Sequence, residues 1–400
     1  MIQISVLGYG TVGSGVVEVL NTNKESIAKR AGQEINVKYV LDLKDFEGDP
    51  IQEKVVHDYS LIVNDPEVKI VVETMGGVNP AYEFVKEALL KGKSVCTSNK
   101  ELVASHGAEL LEVAKKNKVN FLFEASVGGG IPIIRPLNQS LTADEIQEIT
   151  GILNGTTNYI LTKMSQEGVG FETALKDAQE KGYAERNPEA DIEGYDACRK
   201  IAILTSLAYG MHVNFEDIYT EGITKITDVD IRYAKEAGAV IKMFGTSKKV
   251  DNKVFAMISP VMINSTNPLY SVNDVFNGIF VKGNLLGDVM FYGAGAGKLP
   301  TASAVVSDVV DAVKHLGINI MQIWSSKPLE LADINDSVHR YFVRIPKEEE
   351  DKAREVFGAI ETIDAGVYGD FGFITGEMTE REYKEKAENL IIRNMIRVAF

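Results

Sequence analysis

An α/β fold with a mostly parallel sheet, followed by an α+β region and a short tail of mixed strands and helices, is the architecture this sequence predicts. Two observations carry it. Strand-like Ile2–Leu7 runs into Gly8-Tyr9-Gly10-Thr11-Val12-Gly13 and then into Val12, Val16, Val19 and Leu20 at helical spacing. Short apolar runs at Val37–Leu41, Ile70–Val72, Ser94–Cys96 and Asn120–Phe123 alternate with amphipathic stretches such as Ala81–Leu90 and Gly107–Lys116, and parallel neighbours need such long connections.

The length of 400 residues suits two or three domains. Residues 1–130 read as strand, glycine turn and helix in alternation. The middle, 131–297, mixes helical stretches (Phe171–Lys181, Ile192–Leu207) with strand-like ones (Gln147–Leu153, Val254–Val261, Gly278–Asn284) and reads as an α+β domain. After the glycine turn Gly293–Gly297, residues 298–320 form an Ala- and Val-rich helix suited to pack back on the first domain, making that domain discontinuous. The tail, 338–400, reads strand (Arg340–Ile345), helix (Glu348–Ile360), two strands (Glu361–Val367, Phe371–Gly376), helix (Thr379–Leu390) and strand (Ile391–Phe400).

Charge and composition exclude several classes. A formal net charge of -15 repels polyanions, so nucleic acid is not an expected partner. Apolar residues make up 45% of the chain, as in ordinary globular proteins. No apolar run approaches the ~20 residues of a membrane span, and the N-terminus lacks a signal-peptide pattern. Cys96 and Cys198 are too few for a disulfide framework and have no zinc spacing, which fits a reducing cytoplasm.

Gly8, Gly10 and Gly13 match G-x-G-x-x-G between a strand and a helix, with Asp42 after the second strand as a ribose acceptor, so the first domain is expected to bind a dinucleotide in the Rossmann manner. Thr97-Ser98-Asn99-Lys100 follows a short strand, at the sheet edge where such folds bind ligands; its lysine reads equally as a ligand contact or as a surface residue. In Glu124–Pro132, a carboxylate and three glycines suit either a hard cation or a hinge.

The densest polar constellation is Lys181–Lys200, where Glu185, Glu189, Asp191, Glu193 and Asp196 precede Lys200. On charge pattern alone this is a solvated loop capping a helix. The apolar stretch Ile201–Leu207 that follows implies instead that the helix is buried and its polar start faces a cleft, with Asp196 and Lys200 on one face. The histidines at 57, 106, 212, 315 and 339 have no metal or triad spacing.

Taken together, these segments resemble the homoserine dehydrogenases over nearly the whole chain. The resemblance also rests on Val71–Gly77, Gly151–Tyr159 and Phe291–Gly297. It implies interconversion of L-aspartate 4-semialdehyde and L-homoserine with NAD(P)H, in threonine, methionine and isoleucine biosynthesis. Carried over by position, it makes Lys200 the proton donor, Lys100 the second active-site lysine, and Glu185, Asp191, Asp196 and Lys200 the substrate contacts. Gly8, Gly10, Thr11, Val12, Gly13, Asp42, Thr74, Ser98, Lys100, Gly182, Glu185 and Gly297 would contact the cofactor. Carbonyls of Glu124, Val127, Gly129 and Ile131 would hold a sodium ion. A homodimer or homotetramer is implied as well.

Leu41 precedes Asp42 where NADPH-using relatives often carry a cation, so NAD is expected to serve at least as well as NADP. Arg186-Asn187-Pro188 replaces a common Pro-Asp-Pro. The tail's βαββαβ order resembles an ACT domain, but its first turn, Pro346-Lys347-Glu348, lacks a glycine, which points to dimer support more than effector binding. A competing reading is a non-catalytic nucleotide-binding amino acid sensor, which would need neither lysine. A phosphorylating aldehyde dehydrogenase would need an activated cysteine, and neither cysteine has a base nearby in sequence.

Overall fold

Six strands, β1 (Ile2–Leu7), β2 (Ile35–Leu41), β3 (Val55–Val56), β4 (Val68–Glu73), β5 (Ser94–Thr97) and β6 (Phe121–Leu122), pair in parallel in the order β3-β2-β1-β4-β5-β6. The computed structural model describes residues 1–400. They cluster in two units, the first made of residues 1–144, 202–214 and 293–329 and the second of residues 145–201, 215–292 and 330–400.

The parallel sheet lies in the first unit. Its order reverses between β1 and β4, and ligands of open parallel sheets bind at the carboxyl ends of the strands at such a reversal. Ile4, Val6 and Val72 of the sheet share one core with Val16 and Leu20 of the Thr11–Thr22 helix and with Ala302, Val305 and Val309 of the Lys298–Lys314 helix. Gly15 makes that helix pair possible, because a Cβ there would stand 2.9 Å from the Lys298 carbonyl oxygen. The Lys100–Lys116 helix begins earlier than its amphipathic stretch Gly107–Lys116 suggests. The Asn99 side chain caps it by accepting from the Leu102 amide at 3.1 Å.

The second unit is built on a mixed sheet. Its strands are β7 (Ile146–Ile152), β8 (Ala239–Val250), β9 (Lys253–Asn264), β10 (Phe276–Gly283), β11 (Gly287–Ala294), β12 (Val338–Pro346), β13 (Glu361–Ile363), β14 (Asp370–Ile374) and β15 (Asn394–Val398), in the spatial order β11-β10-β7-β8-β9-β15-β12-β14-β13. Strand β8 escapes a periodicity reading because it is buried on both faces over most of its length, with Lys242 and Gly245 inside the run. Gly245 is needed there, since a Cβ would meet Leu153 at 2.8 Å.

The tail follows the expected order of strands and helices, with helices at Glu350–Phe357 and Glu380–Ala387. Its sheet does not stand apart, for β15 pairs in parallel with β9 through Val261–Arg397 and Met262–Val398. One face, Tyr341, Val343, Phe371 and Phe373, packs with Ala353, Phe357 and Tyr383 beneath the tail's own helices. The other face meets the Asp228–Glu236 helix: the Tyr233 and Phe342 rings lie 5.5 Å apart, and a Cβ on Gly372 would overlap the Tyr233 ring at 2.3 Å. Both apolar faces of the tail are therefore covered within one unit of one chain.

Two buried arginines fasten this junction. Arg344 donates to Asp230 and to Asp370, each at 2.8 Å, and Arg397 donates to Glu380 at 2.7 Å and to Glu221 at 2.8 Å. Buried charges persist only when paired and hydrogen-bonded.

Candidate active site

In the first unit, the glycine turn closes tightly. Gly8 has φ +89°, a region that favours glycine. A Cβ on Gly13 would fall 1.9 Å from the Gly8 carbonyl oxygen, whereas the space over Gly10 is open. Gly10 precedes the Thr11–Thr22 helix, whose first amides face the turn, an arrangement suited to a phosphate. Val12 packs against the core and Thr11 is exposed at the helix start. Asp42 follows β2, and its carboxylate accepts from the Tyr9 amide at 2.8 Å and from the Lys44 amide at 3.0 Å, which ties the end of β2 to the glycine turn.

Thr74 reaches back across the sheet, its hydroxyl in contact with the Leu7 and Gly8 carbonyls at 3.0 and 2.9 Å. Ser98 and Lys100 lie on the segment between β5 and the Lys100–Lys116 helix, with Lys100 its first residue. Gly297, at φ +116°, opens the Lys298–Lys314 helix.

The Glu124 side chain departs from the sequence expectation of a carboxylate beside a cation. It accepts from the Ile133, Ile134 and Arg135 amides at 2.6, 2.8 and 2.7 Å, so it is spent on the backbone. Asp308 beside it accepts from the Glu124 amide and from Arg135, and burial pushes the Asp308 carboxyl up to about 8. The loop carbonyls remain. Gly129 turns at φ +57°, and the Val127, Gly129 and Ile131 carbonyls accept no protein hydrogen bond. Oxygens of this kind suit a hard cation.

In the second unit, the acidic run resolves into a helical turn at Glu189–Ile192, a break at Gly194 with φ +88°, and the start of the Tyr195–Tyr209 helix. Asp196 and Lys200 stand on one face of that helix, with Lys200 Nζ 2.7 Å from Asp196 Oδ2. The ammonium also donates to the Leu153 carbonyl at 2.8 Å, beyond the end of β7. Both side chains are almost wholly buried, at 10% and 11% exposed.

Asn154 organises the group, a role that sequence reading did not assign to it. Its Nδ2 donates to Asp191 at 2.7 Å and to Asp196 at 3.0 Å, while its Oδ1 caps the Gly155–Glu167 helix by accepting from the Thr157 amide at 2.9 Å. An asparagine ahead of Gly-Thr-Thr at a strand end is a capping signal. Its second allegiance, to two carboxylates some forty residues onward, becomes visible only in the fold.

Asp191, Asp196 and Lys200 are thus brought together. Glu185 is exposed, its carboxylate outside that hydrogen-bonded group and its carbonyl held by Gln179 at 3.1 Å. Gly182 precedes it at φ +74°. The loop is pinned by Thr156, whose hydroxyl donates to the Tyr183 carbonyl at 2.7 Å. Cys198, two residues from Asp196, points to the Phe215 carbonyl instead, and burial pushes its thiol up.

Comparison with known proteins identifies the family. Residues 8–124 match the family model for the homoserine dehydrogenase NAD-binding domain, and residues 132–310 match that for homoserine dehydrogenase. The chain is 46% identical to homoserine dehydrogenase of Synechocystis over 78% of its length and 73% of the relative's, and 41% identical to that of Bacillus subtilis over 80% and 74%. It superposes on the crystal structure of a homoserine dehydrogenase from Thiobacillus denitrificans with TM-score 0.90, at 35% identity, covering 100% of this chain and 98% of that one. A hyperthermophilic archaeal homoserine dehydrogenase in complex with NADPH superposes with TM-score 0.66, at 30% identity, over 78% of this chain and 97% of that one. The chain belongs to the homoserine dehydrogenase family, NAD(P)-dependent oxidoreductases that interconvert L-aspartate 4-semialdehyde and L-homoserine.

Proposed function

We propose that Lys200 is the proton donor of this reaction and that Asp196 and Asp191, with Glu185, receive the substrate's ammonium group. The observation that carries the reading is the Lys200 ammonium held by Asp196 and the Leu153 carbonyl. An ammonium has three N–H bonds. Two are engaged, and the third is available to an oxygen of the substrate.

When bound, the nicotinamide exchanges a hydride with the carbonyl carbon of the semialdehyde. The carbonyl oxygen then carries developing negative charge, and a fixed cation with a transferable proton stabilises it. Lys200 gives that proton in the reductive direction and takes it from the hydroxyl of homoserine in the other. Asp196 keeps the lysine in place, and Asn154 keeps Asp196 and Asp191 in place. Lys100 serves as a second cation from its helix start.

The glycine turn, with Thr11, Val12, Thr74 and Ser98, receives the pyrophosphate and nicotinamide ends of the cofactor, and Gly182 and Gly297 contribute to the nicotinamide end. Asp42 takes the ribose hydroxyls. A carboxylate there repels a 2′-phosphate and Leu41 supplies no charge against it, so NAD serves at least as well as NADP. Sodium is held by the carbonyls of the Glu124–Ile131 loop rather than by the Glu124 carboxylate. The tail is a short ACT-like domain whose contribution is structural, and the domains divide at 1–130 with 298–320, 131–297 and 338–400. Exposed Leu285, Leu286, Met290 and Tyr292 around β11 support a homodimer or homotetramer. The absence of a helix long and apolar enough to cross a membrane, together with two free buried cysteines, fits a cytoplasmic site of action.

The test is oxidation of NADH or NADPH with L-aspartate 4-semialdehyde, with and without phosphate. Phosphate-independent turnover to homoserine is expected. Absence of turnover with both cofactors would favour a sensor, and phosphate-dependent oxidation of the aldehyde a different dehydrogenase.

A further inference from the structure

Glu73 is fully buried at the carboxyl end of β4, beside Leu7 of β1 and Thr97 of β5. No cation pairs with it, which is unusual for a buried carboxylate. Burial pushes its carboxyl upward, while donors from Thr97, Met75, Gly76 and Asn99 pull it down. A group this costly to bury needs a reason.

The reason lies in what it joins. Oε1 accepts from the Met75 amide at 2.7 Å and the Gly76 amide at 3.3 Å, fixing the segment after β4. Oε2 accepts from the Thr97 hydroxyl at 2.6 Å, fixing the segment after β5. The Thr97 oxygen in turn accepts from the Asn99 amide at 2.9 Å. Asn99 donates to the Gly77 carbonyl at 2.6 Å and caps the helix that begins with Lys100. Thr74, adjacent in the chain, continues the network to the Gly8 carbonyl. One carboxylate therefore holds two loops against each other beside the strand reversal, where a dinucleotide crosses the sheet edge.

We propose that Glu73 is a positioning residue for the cofactor side of the reaction, holding the Thr74–Gly77 loop and the Ser98–Lys100 helix start in register. The inference rests on the reading of this unit as the cofactor-binding half. Glu73 touches no reacting atom; it acts through Thr74, Ser98 and Lys100. An acceptor-only group is required, because every neighbour in reach is a donor. A glutamine supplies one oxygen for Met75 and Gly76 but turns an NH2 toward Thr97, leaving the hydroxyl hydrogen without its acceptor.

The test compares wild type, Glu73→Gln, Thr97→Val and the double variant. It uses the fluorescence of bound NADH for cofactor affinity, steady-state kinetics for kcat and for the KM of homoserine, and thermal melting for the fold. Preorganisation losses of this kind cost about tenfold or more in rate. In Glu73→Gln, the NADH Kd is expected to rise about fivefold or more and kcat to fall about tenfold, while the KM of homoserine stays within about twofold. Thr97→Val should reproduce the kcat loss, and the double variant should add little to either single one. Unchanged Kd and kcat in a folded Glu73→Gln protein would overturn the inference. A loss shared equally by cofactor and homoserine, tracking the melting temperature, would make Glu73 merely structural and overturn it too. NADH fluorescence reads binding without turnover, so failure of the catalytic assignment in the wild type is seen separately.

Discussion

Lys200 and Asp196 are joined one helical turn apart, Nζ to Oδ2 at 2.7 Å, and the same carboxylate oxygen also accepts from Asn154 at 3.0 Å. The lysine is thereby oriented by a carboxylate that is itself oriented by an amide. Removing the lysine removes the proposed proton donor but leaves the Asn154 bridge. Lys200→Ala should lower kcat and kcat/KM together by roughly 10²–10⁴. Near-normal turnover in a folded variant would refute the role.

Asn154 has two tasks, and its replacement separates them. Asn154→Ala loses the helix cap, worth about 1 kcal/mol, and frees Asp191 and Asp196 from their common donor. Asn154→Ser retains a capping oxygen without the reach of the amide. We expect Ser to restore most of the melting temperature and little of the homoserine KM, which should rise severalfold in both variants. Equal recovery of both quantities would assign Asn154 to stability alone.

The proposed cofactor choice rests on the Asp42 carboxylate, held by the Tyr9 and Lys44 amides. Steady-state kinetics should give NAD a kcat/KM at least equal to that of NADP. Asp42→Ala should raise the KM of NAD and narrow the difference, since a repelling charge and two ribose acceptors leave together. A strong NADP preference in the wild type would mean that another cation reads the phosphate.

The tail is fastened by ion pairs buried from water. Arg344→Ala leaves Asp230 without a guanidinium and Asp370 with Arg393 alone, and breaking a buried pair in this way costs about 3–5 kcal/mol. Truncation after Ser337 uncovers Tyr233 and removes β15, one of the strands flanking β9, so it should destabilise the second unit more than it alters any response to threonine. Threonine titration of the intact enzyme is expected to show weak inhibition. Strong inhibition at micromolar threonine, lost on truncation, would show an effector pocket in the tail.

His339 makes the stability pH-dependent. Burial, and then the Arg397 guanidinium, push its imidazole down to about 4. In the unfolded chain it protonates near pH 6.5, so between about 6.5 and 4 the unfolded state binds the extra proton. Stability attributable to His339 is present above that window and is lost as pH falls through it, to the extent of about 3 kcal/mol at most. Urea denaturation at pH 7 and pH 4.5 should show a smaller acid loss in His339→Leu than in the wild type. An identical loss would place the acid sensitivity elsewhere.

Local chemistry was legible in the residues alone: the glycine turn between β1 and its helix, the alternation that makes a parallel sheet, the order of tail elements, and the Asp196–Lys200 face. Each is set within one or two turns or strands, where steric freedom at glycine and side-chain periodicity act over short spacings. Tertiary structure decided the rest. Asn154 meets Asp191 and Asp196, Glu73 meets Thr97, and Arg344 meets Asp230 only because distant strands and helices are stacked together. Strand β8 is hidden from periodicity because both its faces are buried, and the Glu124 carboxylate is taken up by three backbone amides that only the folded loop presents. Burial makes an unsatisfied donor or charge costly. Partners far apart in the chain are therefore selected by the packed interior, which short-range pattern does not record.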